Sequence, residues 1–295
     1  MKTERARLRA VVMLLIAGAV LRAEPLTIAT YNIENYTLAN RTTEDGVYRK
    51  EYPKPEADKA ALRAVIRQMD ADVVALQEVG GAAYLRELQR DLKSEGLAYA
   101  HAVVLEAVDK DRMVAVLSRR ELTGVTRHTD LTFKYFDGVE TVRRGLLEVR
   151  VASEAGEVAL FVVHLKSRFT EREDDPRAEL RRAGEAVAVR DRVLAVFAEP
   201  ATARFVIAGD FNCGRADRPV RAMLERGKTR IADWLPAADS RGHVWSYFYR
   251  KEDEYSRVDH VLVSPGLSGR ATGRIQDSVE VGRASDHRPV VVVIK

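Results

Sequence analysis

The chain has 295 residues, 48 Lys and Arg against 44 Asp and Glu, 46% apolar residues and one cysteine. A single cysteine excludes an internal disulfide framework and any multi-thiolate zinc site. The length fits one large domain or two small ones, with enough apolar residues for a sizeable core.

The first segment reads as targeting rather than fold. Lys2, Arg5, Arg7 and Arg9 stand against the one acid Glu4, an apolar run follows from Ala10 to Leu21, and Arg22-Ala23-Glu24 offers a small-residue cut site. This pattern predicts a cleaved secretory signal over residues 1–23, a working domain over 24–295, and a periplasmic or secreted location; the alternative is a retained N-terminal anchor. The run is short for a bilayer span, and no later stretch approaches the roughly 20 apolar residues that a spanning helix needs, so no stable membrane insertion is expected after cleavage. Residues 1–23 carry five basic side chains and one acid, which leaves 43 of each sign. The excess positive charge therefore belongs to the leader and is no argument for nucleic-acid binding by the domain.

Eight short apolar runs rich in β-branched residues follow: Leu26 to Tyr31, Asp72 to Leu76, Met113 to Leu117, Leu146 to Val151, Val158 to Val163, Phe205 to Ala208, Val258 to Val263 and Pro289 to Ile294. They predict strands, and continuous rather than alternating runs imply that both faces are covered. Helical spacing lies between them. Leu62, Val65, Ile66 and Met69 follow Pro55; Leu85, Leu88 and Leu92 repeat the period; Leu180, Ala183, Val187, Leu194 and Phe197 do so before Pro200. The loop between 146–151 and 158–163 is short enough for a hairpin. Two packed sheets with outer helices is the architecture this order predicts.

The polar residues at the strand ends carry the chemistry. Asn32 ends the first strand, Glu78 the second, His164 the fifth and Asp210 the sixth, within Gly209-Asp210-Phe211-Asn212. Asp259 lies within an apolar run, and Ser285-Asp286-His287 precedes the last one. Glu78 and Asp286 with the amide oxygen of Asn32 match the hard oxygen ligands that Mg²⁺ prefers, and two imidazoles can move protons near neutrality. Taken singly, each has a bland reading: Glu78 as a solvated strand end, Gly209–Asn212 as a turn, His164 as a hydrogen-bonded core histidine. Asp259 is harder to explain away, because an unpaired buried carboxylate is costly; His287 is the partner expected for it. Gly227-Lys228-Thr229 lacks the first glycine of a phosphate-binding loop, since Ala222 stands there. Ser285-Asp286-His287 names the residues of a hydrolase triad, but neighbours in sequence cannot present that geometry.

The ordered set Tyr31-Asn32-Ile33-Glu34-Asn35, Leu76-Gln77-Glu78, His164-Leu165-Lys166-Ser167, Gly209-Asp210-Phe211-Asn212, Val258-Asp259-His260 and Ser285-Asp286-His287 resembles the endonuclease/exonuclease/phosphatase superfamily, the deoxyribonuclease I-like fold. The resemblance covers nearly the whole domain. It implies an α/β fold, a four-layer α/β/β/α sandwich of two mixed sheets flanked by helices, and a metal-dependent phosphoric diester hydrolase. It also implies roles: Glu78 holding Mg²⁺ or Mn²⁺ with Asn32 and Asp286 nearby; His287, oriented by Asp259, activating water; Asp210 and Asn212 orienting the nucleophile and binding phosphate; His164 protonating the leaving oxygen or stabilising the charge of the transition state. A nucleic acid is the expected substrate of a monomeric enzyme, with a phospholipid or small phosphoester, as for sphingomyelinases or inositol-phosphate phosphatases, as the alternative. Substrate choice is expected in rim segments 36–55, 128–142, 167–178 and 246–256. Arg112 and Arg144 sit where family members place phosphate contacts, and are read equally as solvated arginines. His260, Tyr135 and Cys213 are read as structural.

Overall fold

The computed structural model describes residues 24–153 and 156–295; the expected signal, residues 1–23, lies outside them. Two six-stranded sheets pack face to face. The first runs, in spatial order, Ala271–Ile275, Val290–Ile294, Leu26–Tyr36, Val73–Val79, Met113–Ser118 and His101–Leu105. The second runs Asp233–Trp234, Asp259–Val263, Phe205–Asp210, Val158–His164, Leu146–Val151 and Leu122–His128. Helices α1 (Glu56–Met69) and α2 (Ala82–Ser94) cover the outer face of the first sheet, and α3 (Glu179–Val196) and α4 (Arg218–Leu224) that of the second. A short α5 (Val281–Ala284) packs against α1.

Three apolar layers hold this arrangement together. Ile28, Val73, Val116, Leu147, Leu160, Val206 and Val292 fill the seam between the sheets, all fully buried. Ala29, Tyr31, Val74 and Leu76 face α1 and α2 from the same strands, while Phe161, Val163, Phe205 and Ile207 face α3 and α4. Successive strand residues thus point into different apolar layers, which is why the runs are unbroken. Each buried Val, Leu, Ile or Phe among them contributes roughly 1.5–3 kcal/mol of transfer free energy.

All eight predicted strands form, and the 146–151 and 158–164 strands pair as the expected antiparallel hairpin. Their ends differ: Asp72, Val258 and Pro289 lie just outside, Asp259 opens its strand rather than sitting within it, and the first strand runs past Asn32, expected to end it, to Tyr36. The four sheet strands absent from the reading are His101–Leu105, Leu122–His128, Asp233–Trp234 and Ala271–Ile275, the edge strands of the two sheets. Edges are half-solvated and lack a continuous apolar run. Helix α3 buries only part of the stripe its spacing suggested: Ala183 is buried and Leu194 and Phe197 pack on the core. Leu180 is 47% exposed, while Arg182 and Glu185 turn inward. They do so because Arg182 donates to the Lys166 carbonyl (3.0 Å) and Glu185 accepts from the Lys166 amide (2.7 Å). Three of the rim segments contain two-stranded hairpins, at 39–52, 132–141 and 247–256. No helix among the described residues is long and apolar enough to cross a membrane.

Candidate active site

Each sheet contains one parallel pair, and that pair sets where the polar residues meet. Leu26–Tyr36 runs parallel to Val73–Val79, and Val158–His164 parallel to Phe205–Asp210. A parallel pair needs a crossover; α1 supplies the first and α3 the second. Both pairs deliver their C-terminal ends to the same edge of the sandwich, so Asn32 and Glu78 arrive from one sheet and His164 and Asp210 from the other. Antiparallel neighbours bring their N-terminal ends there too: Asp259 is the register partner of Asp210, and 285–287 lead into Val290–Ile294.

Asp210 is the hub. Its Oδ2 accepts from Asn32 Nδ2 (3.1 Å) and Asn212 Nδ2 (3.1 Å), and its Oδ1 accepts from the Asn212 amide (2.8 Å). His164 Nε2 lies 3.4 Å from Oδ2 and His287 Nε2 4.0 Å. Glu78 Oε1 lies 4.0 Å from His164 Nε2, which links Glu78 to His287 through one continuous cluster. Burial, together with the opposing Asp259 carboxylate, pushes the Asp210 carboxyl up to about 7, although His287 pulls the other way.

His287 Nδ1 lies 2.9 Å from Asp259 Oδ2. Burial disfavours the charged ring, but Asp259, Asp210 and Asp286 outweigh it and hold His287 well above its ordinary value. Two serines, one of them outside every motif of the sequence reading, fix this pair. Ser246 Oγ accepts from the amides of Val258 (3.1 Å) and Asp259 (3.0 Å). Ser285 Oγ donates to the Asn32 carbonyl (2.8 Å) and accepts from the His287 amide (3.0 Å), so the serine of Ser285-Asp286-His287 ties the last strand to the first. The Tyr247 ring packs on His287 with centroids 4.7 Å apart.

Glu78 and Asp286 face the same side with Glu34. Glu78 Oε2 accepts from the Asn35 amide (2.8 Å), and Asn32 Oδ1 from the Glu34 amide (3.1 Å). Burial pushes Asp286 up to about 7, and Glu34 and Glu78 add to the rise against the pull of His287. The group is short of positive charge, which a divalent cation on the Glu78 and Asp286 carboxylates and the Asn32 amide oxygen would supply. The donor set fits. Asp210, Asp259 and His287 also bring ligand-type atoms within 4.8 Å. Asp259 Oδ2 is already engaged by His287, and Asp210 accepts from three amide N–H donors. Glu34, Asn35, Glu78 and Asn212 all adopt left-handed backbone (φ 49–67°), and both site strands of the first sheet break register near their ends. Strain and bulges of this kind concentrate where side chains must be re-aimed.

Cations flank the cluster. On one wall, buried Lys54 donates to the Glu34 carbonyl (3.1 Å), and Arg41 donates to the carbonyls of Asn35, Thr37 and Tyr52. On the other, Arg144 donates to the Leu165 carbonyl (3.0 Å) and pairs with Asp109 (3.2 Å). Burial first, then the charges of Arg144, His287, Arg112 and Lys166, hold His164 well below its ordinary value. Its Nδ1 has no hydrogen-bond partner among the described residues. The remaining candidates are structural. His260 is buried between Trp234 and the Cys213 carbonyl, Tyr135 donates to Asp175 (3.0 Å), and burial pushes the Cys213 thiol up to about 12. Gly227-Lys228 forms the tight turn between the Glu225–Arg226 and Thr229–Arg230 strands, and Thr229 opens the second of them.

A family model described as "Endonuclease/Exonuclease/phosphatase family" matches residues 29–287. No curated protein matches the sequence. Among solved structures, the chain is similar to a beta toxin mutant from Staphylococcus aureus with bound magnesium ions, at 16% identity and TM-score 0.64 over 92% of this chain and 100% of that one. It is similar to sphingomyelinase C from Streptomyces griseocarneus at 17% and 0.62 over 92% and 99%, and to the human Nocturnin catalytic domain with bound sulfate at 16% and 0.62 over 92% and 94%. At such identities these likenesses speak for the fold. Together with the family match over most of its length, they make the chain a member of the endonuclease/exonuclease/phosphatase family.

Proposed function

We propose that this chain is an exported, divalent-metal-dependent nuclease that hydrolyses phosphodiester bonds of DNA or RNA. Family membership supports the coarser part, a phosphoesterase. The observation that carries diester hydrolysis is the imidazole pair beside Asp210 Oδ2, at 3.4 and 4.0 Å, with His164 pushed towards the neutral form and His287 towards the charged one. Environments that drive two titratable groups apart mark out their separate tasks. From its neutral form His287 Nε2 takes the proton as water oxygen attacks phosphorus, and the carboxylates of Asp259, Asp210 and Asp286, which favour the charged ring, stabilise the imidazolium that results. Asp210 and Asn212 orient the water and a phosphoryl oxygen. His164, kept neutral, gives an N–H hydrogen bond to the charge that develops as the ester P–O bond breaks. Glu78, Asp286 and Asn32 would hold Mg²⁺ or Mn²⁺, which when bound polarises a phosphoryl oxygen and offsets developing charge. Cations on both walls favour a polyanionic substrate.

The likeness to sphingomyelinase C favours a second reading, a lipid phosphodiester. One panel separates the two: the purified protein with plasmid, single-stranded DNA, RNA and sphingomyelin vesicles, each with Mg²⁺, with Mn²⁺ and with chelator. Metal-dependent cleavage of a nucleic acid is expected. Phosphocholine release with every nucleic acid intact would replace the nuclease reading with the lipid one. Export rests on the basic and apolar leader, and N-terminal sequencing of the protein recovered outside the cytoplasm should begin near Glu24. An uncut Met1 terminus on cytoplasmic protein would overturn it.

A further inference from the structure

A cavity of about 840 Å³ opens between the 247–256 hairpin and α5. Its size falls in the roughly 300–1,000 Å³ range of small-ligand pockets. Ser285 and Asp286 form part of its wall, so an occupant lies directly beside the proposed phosphate site.

The lining combines aromatic rings with guanidinium groups. Tyr255 stacks on Phe248 (4.4 Å between centroids, 20° between planes) and meets Trp245 edge-on (4.9 Å). The other side of this group is closed by Arg288, whose guanidinium lies 4.2 Å from the Trp245 centroid and is fixed by Asp239 (2.8 Å). Tyr255 is 54% exposed and Val279, also in the lining, 94%. Apolar side chains left open around a concave site mark a ligand surface. Arg250 donates to the Gly282 carbonyl (2.6 Å), so its charge is not neutralised by that contact. The Arg241 side chain has no hydrogen-bond or ion-pair partner among the described residues. Against these stand Asp239, engaged by Arg288 and His243, and Asp277, which accepts from Ser240. Asp286 faces the metal donors. Three arginines thus stand beside three aspartates, and Tyr255 is the ring of this aromatic group left most open to solvent.

We propose that this cavity binds an unpaired nucleobase next to the scissile phosphate, which would make the enzyme selective for single-stranded nucleic acid. The inference rests on the nuclease reading above. A flat heteroaromatic ring with hydrogen-bonding edges and an attached phosphate matches aromatic rings, guanidinium planes and the carboxylate of Asp277 together, and a fatty chain would leave the polar groups without partners. A base within a duplex is stacked and paired and cannot present its face, so only an unpaired one enters.

The test uses the Mg²⁺-loaded enzyme on a fluorescent oligonucleotide, single-stranded or annealed to its complement, with Tyr255→Ala and Arg241→Ala beside the wild type. Both positions are exposed, and melting curves check that the variants fold. The expected result is a wild-type preference for the single strand and a KM for it about tenfold higher in Tyr255→Ala, with a smaller change in kcat. Direct binding of the unlabelled single strand in chelator, read by tryptophan fluorescence, should weaken in parallel. Equal cleavage of strand and duplex, with KM unmoved in both variants, would overturn the pocket and leave the nuclease standing. Phosphocholine release from sphingomyelin vesicles with no nucleic acid cut or bound would remove both.

Discussion

Asp259 Oδ2 lies 2.9 Å from His287 Nδ1, and the second oxygen of this fully buried carboxylate has no hydrogen-bond partner among the described residues. The ring is thereby held with Nε2 towards Asp210. Replacing Asp259 with Asn keeps the shape but offers the ring an amide that can turn its donor towards Nδ1 and stabilise the wrong tautomer. Asp259→Asn should lower kcat by about 10²–10⁴-fold with the fold intact. Steady-state kinetics on whichever substrate the panel identifies, with circular dichroism alongside, measures this. Activity within threefold of wild type would remove His287 from the proton-transfer role.

The Glu78 carboxylate carries the second prediction. It is fixed by the Asn35 amide, so it is aimed before any ion arrives. Chelator should abolish activity and Mg²⁺ or Mn²⁺ should restore it. Glu78→Gln removes one charge from the donor set and should raise the Mg²⁺ concentration for half-maximal activity at least about tenfold. A matching loss of affinity is expected by calorimetric titration of the protein with Mg²⁺. An unchanged midpoint would take Glu78 out of the metal site.

The central strands and the polar residues that end them were legible in the sequence for one reason: a strand covered on both faces is an apolar run, and a charge that ends such a run stands out. Asn32, Glu78, His164 and Asp210 are all of this kind. Ser246, Lys54 and Tyr247 were not legible, nor was the bridging contact of Ser285. In sequence they are ordinary loop residues, and what they do depends on contacts such as Ser285 to Asn32, made across 253 positions of chain. The α3 face was only partly legible because buried Arg182 and Glu185 are stabilised by the backbone of Lys166, which lies outside any helical period.

Gly209 precedes Asp210 at φ 154°, and a Cβ there would come 1.9 Å from the Val163 carbonyl oxygen on the paired strand. No side chain can move to relieve a clash with backbone. Gly209→Ala should cost more than about 3 kcal/mol and separate the two strands that carry His164 and Asp210. Gly282→Ala, where a Cβ meets nothing within 4 Å, should change stability by less than about 1 kcal/mol. Thermal melts of the two variants give the comparison. Equal melting temperatures would mean that the strands are not held at this spacing.

His260 yields a prediction in the opposite direction from His287. Its Nδ1 accepts from Trp234 Nε1 (3.1 Å), and its Nε2 donates to the Cys213 carbonyl (2.9 Å). Burial pushes the ring down to about 4, against the attraction of the Cys213 carbonyl and the Asp259 carboxylate. In the unfolded chain the ring titrates near 6.5. Between these values the unfolded chain takes up a proton that the folded one refuses. The contribution is therefore complete above about pH 6.5 and is lost as pH falls towards 4, at a total of roughly 3 kcal/mol. Asp210 and Asp286, with raised carboxyls, slope the other way. The quantity to measure is thus the stability difference between wild type and His260→Gln, which keeps an N–H donor and does not titrate. Urea unfolding from pH 7.5 to 4.5 should show that difference shifting in favour of the glutamine variant by about 2–3 kcal/mol as the solution is acidified. A difference that stays constant across the range would show that His260 does not resist protonation in the folded protein.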